Sequence, residues 1–251
     1  MGKLTKTGVA LGFALLAAAS AEAQTVATSD GDVDRRPFAI GERLHYTVRV
    51  AKLGRGRAVM ELRKLDTVRG KRVFHSTFKI DGSLLFFKVD DLYESWFDPN
   101  SLVSVRYHQN IDQGSYERDR TYEIFAERGV YRGPDQVEVP TVEQPLDDGA
   151  FLYFLRTIPL EVGKTYTFNR YFKPDRNPVT VHVVRRERIR VPAGEFDAIV
   201  LQPKIKAKGI FAEGARAEVW VADDSSRMML QMKTRLPFGA VVFQLQSVER
   251  D

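Results

Sequence analysis

Cysteine is absent from all 251 residues. That excludes disulfides, thiolate metal sites, a cysteine nucleophile and lipid attachment through a cysteine behind a leader. Small exported domains often lean on disulfides, but a chain of this length can bury enough apolar surface without them. Histidine is scarce: the four are His45, His75, His108 and His182. Each stands at the opposite parity to the apolar residues of its own stretch. All four are therefore expected to point away from the core, and no metal site or cofactor is expected. No Gly-x-Ser-x-Gly elbow occurs, which removes the usual hydrolase signature. Gly163-Lys164-Thr165 imitates the end of a phosphate loop, but Ile158 stands where its first glycine belongs. Asp30-Gly31-Asp32-Val33-Asp34 imitates half of a calcium loop, but Arg35 replaces the turning glycine and Gly41 the closing glutamate. The pairs Asp90-Asp91, Asp147-Asp148 and Asp223-Asp224 fall in turn and cap contexts. Neighbours on a strand face opposite ways, so such pairs rarely act as an acid–base couple. The chain reads as a non-enzyme.

Long apolar runs are equally few. Val9 to Ala19 follows Lys3 and Lys6 and precedes Ala21-Glu22-Ala23, the pattern of a secretory signal peptide cleaved after residue 23. The run is too short for a spanning helix, which needs about 20 apolar residues, and no second candidate follows. An outer-membrane barrel fits poorly: strand lengths are wrong, aromatic girdles are inconsistent, and Val248-Glu249-Arg250-Asp251 is a charged terminus. The expected location is the periplasm, with secretion beyond the cell left open. Residues 24–36 are small and polar and read as a flexible leader, and 37–251 as one β-rich domain. The net charge is +5, or +4 without Lys3, Lys6 and Glu22, and is mostly interspersed. Export argues against a nucleic-acid partner. Plain solubility or weak attraction to anionic headgroups is the physical implication.

What the chain does have is alternation. Leu44, Tyr46, Val48 and Val50 form a one-sided strand, and Ala58, Met60 and Leu62 return it after Gly54-Arg55-Gly56. Phe74, Phe78 and Ile80 share a parity, as do Val103, Val105 and Tyr107. Val179, Val181, Val183, Ile189 and Val191 make the longest set, broken by Pro192-Ala193-Gly194-Glu195. Val219 and Val221, then Met228 to Leu236, then Val241, Phe243 and Leu245 complete an antiparallel meander. From Leu84 to Phe97 aromatic groups fall on both faces, so this stretch either packs between layers or lines a groove. One helix is expected: Asp147 or Asp148 caps it, and Phe151, Leu152, Phe154, Leu155 and Ile158 form a broad apolar face before Pro159. So short a helix is stable only when docked on a sheet. The predicted fold is mainly β: a single antiparallel, strongly curved sheet, an open or partly closed barrel, with one short helix.

Four stretches, in this order, carry a resemblance: FAIGERLHYTVRV, LDDGAFLYFLRTIPLEVGKTY, VPAGEFDAIVLQP and AEVWVADDSSRMMLQM. Together they resemble the family catalogued as domain of unknown function 3108, exported proteins of Gram-negative bacteria, over about Arg36 to Asp251. That resemblance implies a location and an architecture, and no activity. The strand-rich layout with one helix is also similar to the half-barrels of periplasmic lipoprotein carriers, a likeness of fold alone.

A curved sheet leaves an apolar concavity. The first functional expectation is that it binds an apolar or amphiphilic envelope molecule, such as a lipid or lipoprotein acyl chain, lined by Phe86, Phe87, Trp96, Phe151, Phe154 and Leu155. Arg185, Arg186 and Arg188 either recognise anionic headgroups or form a solvated edge that discourages aggregation. The alternative is an interaction module that docks a partner protein in envelope assembly. A long apolar cavity favours the first reading, and a filled core with an exposed apolar patch favours the second.

Overall fold

Alternation becomes strand wherever a turn lets the chain reverse. The structure, a computed structural model, describes residues 36–51, 53–84, 87–114, 116–206, 217–236 and 239–250. The expected signal peptide and the leader up to residue 35, with its Asp30–Asp34 run, lie outside them. In the first half the strands are β1 (Arg43–Val50), β2 (Gly54–Val68), β3 (Lys71–Leu84), β4 (Phe87–Phe97), β5 (Ser104–Gln113), β6 (Tyr116–Phe125), β7 (Val130–Arg132) and β8 (Glu138–Pro140). Helix α1 (Asp148–Phe154) follows. The second half holds β9 (Thr165–Phe168), β10 (Val179–Val191), β11 (Gly194–Lys204), β12 (Glu218–Ala222), β13 (Met229–Leu236) and β14 (Gly239–Glu249).

All fourteen strands join one antiparallel sheet in the order β8-β7-β6-β5-β4-β3-β2-β1-β14-β13-β12-β11-β10-β9. The chain winds outward from β1 to β8, crosses through α1 to the far edge, and returns until β14 pairs with β1. The sheet is not closed. Between its edges, β8 and β9, the crossover is bridged by Leu146 and Tyr171. There Leu146 N donates to Arg170 O at 2.6 Å, and Phe172 N to Leu146 O at 3.0 Å.

Curvature shows in one contact. Phe78 on β3 and Phe243 on β14 have ring centroids 6.0 Å apart, although β2 and β1 lie between their strands. Gly56 and Gly82 are direct cross-strand partners, and a Cβ on Gly56 would lie 2.4 Å from Asp81 O. The strands approach this closely because neither residue has a side chain. The concave face carries Leu44, Tyr46, Met60, Leu62, Phe97, Tyr107, Val181, Leu201, Met232 and Leu245, all buried, and α1 fills its lower end.

Two bulges overturn simple parity. The longest alternation does not hold one face, because the register shifts between Val183 and Arg185 and places Arg185 and Glu187 opposite to Val183. Likewise β5 starts at Ser104, and a shift opposite Trp96/Phe97 sends Val105 away from Tyr107 to pack with Val68, Val73 and Trp96 on the outer face. Since paired strands run antiparallel, the ends of β1, β3, β5, β11 and β13 gather at one rim, the upper one. Helix α1 occupies the other.

Candidate binding site on the concave face

The lower end is built around two buried polar groups. Asp147 caps α1, its carboxylate accepting from Gly149 N at 2.8 Å and Ala150 N at 3.0 Å. Ser95 on β4 donates its hydroxyl to the same carboxylate at 2.7 Å, and Asp147 N donates to Ser104 Oγ at 2.8 Å. The helix thus sits directly on β4, an approach that needs Gly149, whose added Cβ would lie 2.7 Å from Ser95 Cβ. Burial pushes the Asp147 carboxyl up to about 7, against the pull of the Ala150 amide and the two serines. Next to it, Asp148 accepts from Tyr107 OH at 2.7 Å and Tyr171 OH at 3.0 Å.

Just past α1, Arg156 is 2% exposed and pairs with Glu42, 4% exposed, at 2.5 Å. Its remaining donors reach Ser226 O at 2.8 Å and Pro37 O. Its guanidinium lies over Phe38, 5.3 Å from the ring centroid. This one side chain ties the crossover to the start of β1 and to the turn after β12. It also joins the first, second and fourth stretches quoted above.

Above the helix the concave face changes character. Val50, Phe78, Ile80 and Tyr93 are only half-buried there. Among them stands Asp91, placed on this face by its pairing with Ile80 and Ile111. It is 3% exposed. Its Oδ2 accepts from Gln113 at 2.7 Å, while its buried Oδ1 has no hydrogen-bond partner among the described residues. Burial raises its pKa, against Gln113 and the backbone of Asp112. The described residues also line a cavity of ≈ 10 Å³ under Leu152, Leu155 and Val219, room for about one water. An acyl chain would have to lie against the upper concave face instead.

Of the residues singled out in the sequence, Phe151, Phe154 and Leu155 come together under the sheet, but as buried packing. Phe154 meets Phe168 edge-on at 4.9 Å. Phe86 lies outside the described residues; Phe87 opens β4, and its side chain is likewise outside the description. Trp96 does not join them. Paired with His75, it faces outward, stacks on that imidazole at 4.4 Å, and donates to Asp66 at 3.2 Å. The arginines of β10 are all ion-paired: Arg185 with Glu187 and Glu218, Arg186 with Asp223, Arg188 with Glu195.

The histidines point away from the main core, as expected, yet two of them meet. Glu94 bridges His75 and His108 at 3.0 Å each, and His108 continues to Asp119 at 2.9 Å. Burial lowers the His75 pKa. At His108 burial also lowers it, but Asp119 and Glu94 together outweigh burial and raise it. The chain of contacts runs along the outer face rather than converging on a point. Sequence reasoning passed over Arg156 and set Asp91 with Asp90 in a turn, whereas both lie inside β4, because the strand runs through the charged pair. The signal for Asp91 was an acid at the parity of Tyr93 and Val89, out of keeping with its neighbours.

Residues 44–246 match the model of a protein family of unknown function, DUF3108. The chain belongs to that family. No curated protein matches it. Among solved structures, the DUF3108 chain is similar to a β-barrel-like protein of the unknown-function family DUF1849 from Brucella abortus. The TM-score is 0.58 at 11% identity, covering 84% of this chain and 98% of that one. At this identity the likeness is one of fold alone. A Bacteroides fragilis protein of YmcC-like fold, described as exported, matches at TM-score 0.38 and 8% identity, over 86% of this chain and 98% of the other. Among the described residues no helix is long and apolar enough to cross a membrane.

Proposed function

We propose that this DUF3108 protein is a non-enzymatic periplasmic protein that binds an amphiphilic molecule on the upper concave face. The ligand is a lipid or acyl chain bearing a hydrogen-bonding head. The export pattern at residues 1–23 and the lack of cysteine support the compartment. The observation that carries the binding reading is Asp91. A buried carboxyl oxygen without a partner is disfavoured, and here it is set among half-buried Phe78, Ile80 and Tyr93. Apolar walls with one or two polar groups are the usual make-up of a ligand site. The helix below closes the floor, so the ligand enters from the upper rim.

The test is native mass spectrometry of periplasmically expressed protein, before and after delipidation, followed by lipid titration of the stripped protein. A discrete adduct in the lipid mass range that is removed and then restored supports the reading. Empty chains throughout, with no shift of the melting temperature by any lipid, would overturn it and move the assignment to protein docking.

A further inference from the structure

The fold assembles a basic surface from residues far apart in sequence. Lys233, Val242, Arg49 and Arg55 occupy one cross-strand row over β13, β14, β1 and β2, on the outer face near the upper rim. Arg235 stands two residues beyond Lys233, and Lys204 and Lys206 extend the patch past β12. All six cations are exposed. Among the described residues none of the six has a carboxylate partner. Glu218, opposite Lys233, is taken by Arg185 at 3.1 Å, and Asp81 by Arg57 at 3.2 Å. Among the described residues Arg49 donates only to the neutral Gln244.

We propose that this face docks the protein on an anionic lipid bilayer. Arg49 and Arg55 are direct cross-strand partners, and like charges so placed repel. Nothing within the described protein offsets that repulsion; an external anion would. Strands spaced roughly 4.8 Å apart spread the row over about 15 Å. Its donors do not converge, so they cannot enclose a single phosphate. A planar surface whose headgroups move laterally can meet each cation separately. The β10 arginines, the densest basic run in the sequence, are the internal contrast because their charge is already neutralised. Docking is independent of what the concave face binds, though it would bring the upper rim beside the membrane.

The experiment is co-sedimentation of the purified protein with vesicles of phosphatidylcholine alone or with 30 mol% phosphatidylglycerol, on the order of physiological anionic content. The expected result is binding to the anionic vesicles only, weakening steeply with salt. Neutralising Arg49, Arg55, Lys233 and Arg235 to glutamine should reduce partitioning about fivefold per charge, several hundred-fold together. Arg186→Gln with Arg188→Gln should leave it within twofold. Lys204→Gln with Lys206→Gln is the second variant should the fourfold one not fold. Wild-type protein that ignores anionic vesicles, or equal losses in the rim and β10 variants, would overturn the proposal. So would binding to a soluble polyanion such as heparin without binding to vesicles.

Discussion

The two ends of the concave face are made of similar strands but treat buried polar atoms differently. At the lower end the two groups that seat the helix and the crossover are answered. Arg156 has Glu42, Ser226 O and Pro37 O; Asp147 has two helix amides and Ser95. At the upper end Asp91 Oδ1 is left open among half-buried apolar side chains. A satisfied polar cluster rigidifies and specifies the place of an element, whereas an unsatisfied one is retained against stability. The lower end reads as the part that holds the fold, and the upper end as the part that is used.

The strongest way to break that contrast is at Arg156. Arg156→Leu leaves the buried Glu42, among the described residues, with only Arg250 at 3.6 Å as an ion-pair partner and strips two carbonyls of donors, so a loss of about 3–5 kcal/mol is expected in chemical denaturation. Removing Glu42 as well, in a Glu42→Leu/Arg156→Leu double variant, should recover a large part of it. Equal stabilities for the single and double variants would show that the pair is not what holds the crossover. Asp147→Ala comes next. Near pH 4, where the native carboxyl carries no charge, it removes the cap and orphans two amides and the Ser95 hydroxyl, for about 2–3 kcal/mol.

Asp147→Asn sharpens the comparison through pH. Burial pushes the native carboxyl up to about 7, from the ordinary carboxylate value of 3.8. Between those values the folded chain holds a proton that the unfolded chain has released. Stability therefore falls as pH rises from about 4 to about 7, and is flat above. Asparagine keeps an oxygen for the helix amides and cannot ionise. The variant should match wild type near pH 4 and exceed it by roughly 2–4 kcal/mol at pH 8. A constant difference across that range would mean that the cap, not the buried charge, sets the balance.

Much of the architecture is legible in the sequence. One-sided alternation in β1 to β3, the Asp147 cap and the apolar face of α1 are local signals, and local signals survive folding. What parity could not supply is the effect of bulges. One inserted residue reverses the side chains around it, which is why Val105 stands opposite to where alternation put it. Trp96 failed as groove lining for a related reason: in a stretch with aromatics on both faces, only pairing to His75 decides which way it points. The basic residues show the same limit. Arg185, Arg186, Arg188 and Arg190 are conspicuous because they crowd one short stretch, and charges so crowded on a strand find acids on it and on its neighbours. The rim cations become a patch only when β13, β14, β1 and β2 are set side by side.

Asp91 gives the smallest effect on stability and the most informative one. Its pKa is raised by burial, so its ionisation opposes folding above the unfolded value of 3.8 and the penalty grows with pH until the folded group titrates. Asp91→Leu replaces an unsatisfied oxygen by apolar atoms in apolar surroundings. Gln113, the partner it abandons, is half-buried and can turn to water. The variant should be at least as stable as wild type and about 1 kcal/mol more stable at pH 7, while losing the lipid adduct that native mass spectrometry reads. Stability that rises as binding falls is the signature of a residue kept for its ligand, the opposite of what Arg156 and Asp147 should show. A variant that binds lipid as wild type does would detach Asp91 from recognition and leave only the apolar wall. A variant destabilised by several kcal/mol would place Asp91 with the lower-end groups, and the difference between the two ends would vanish.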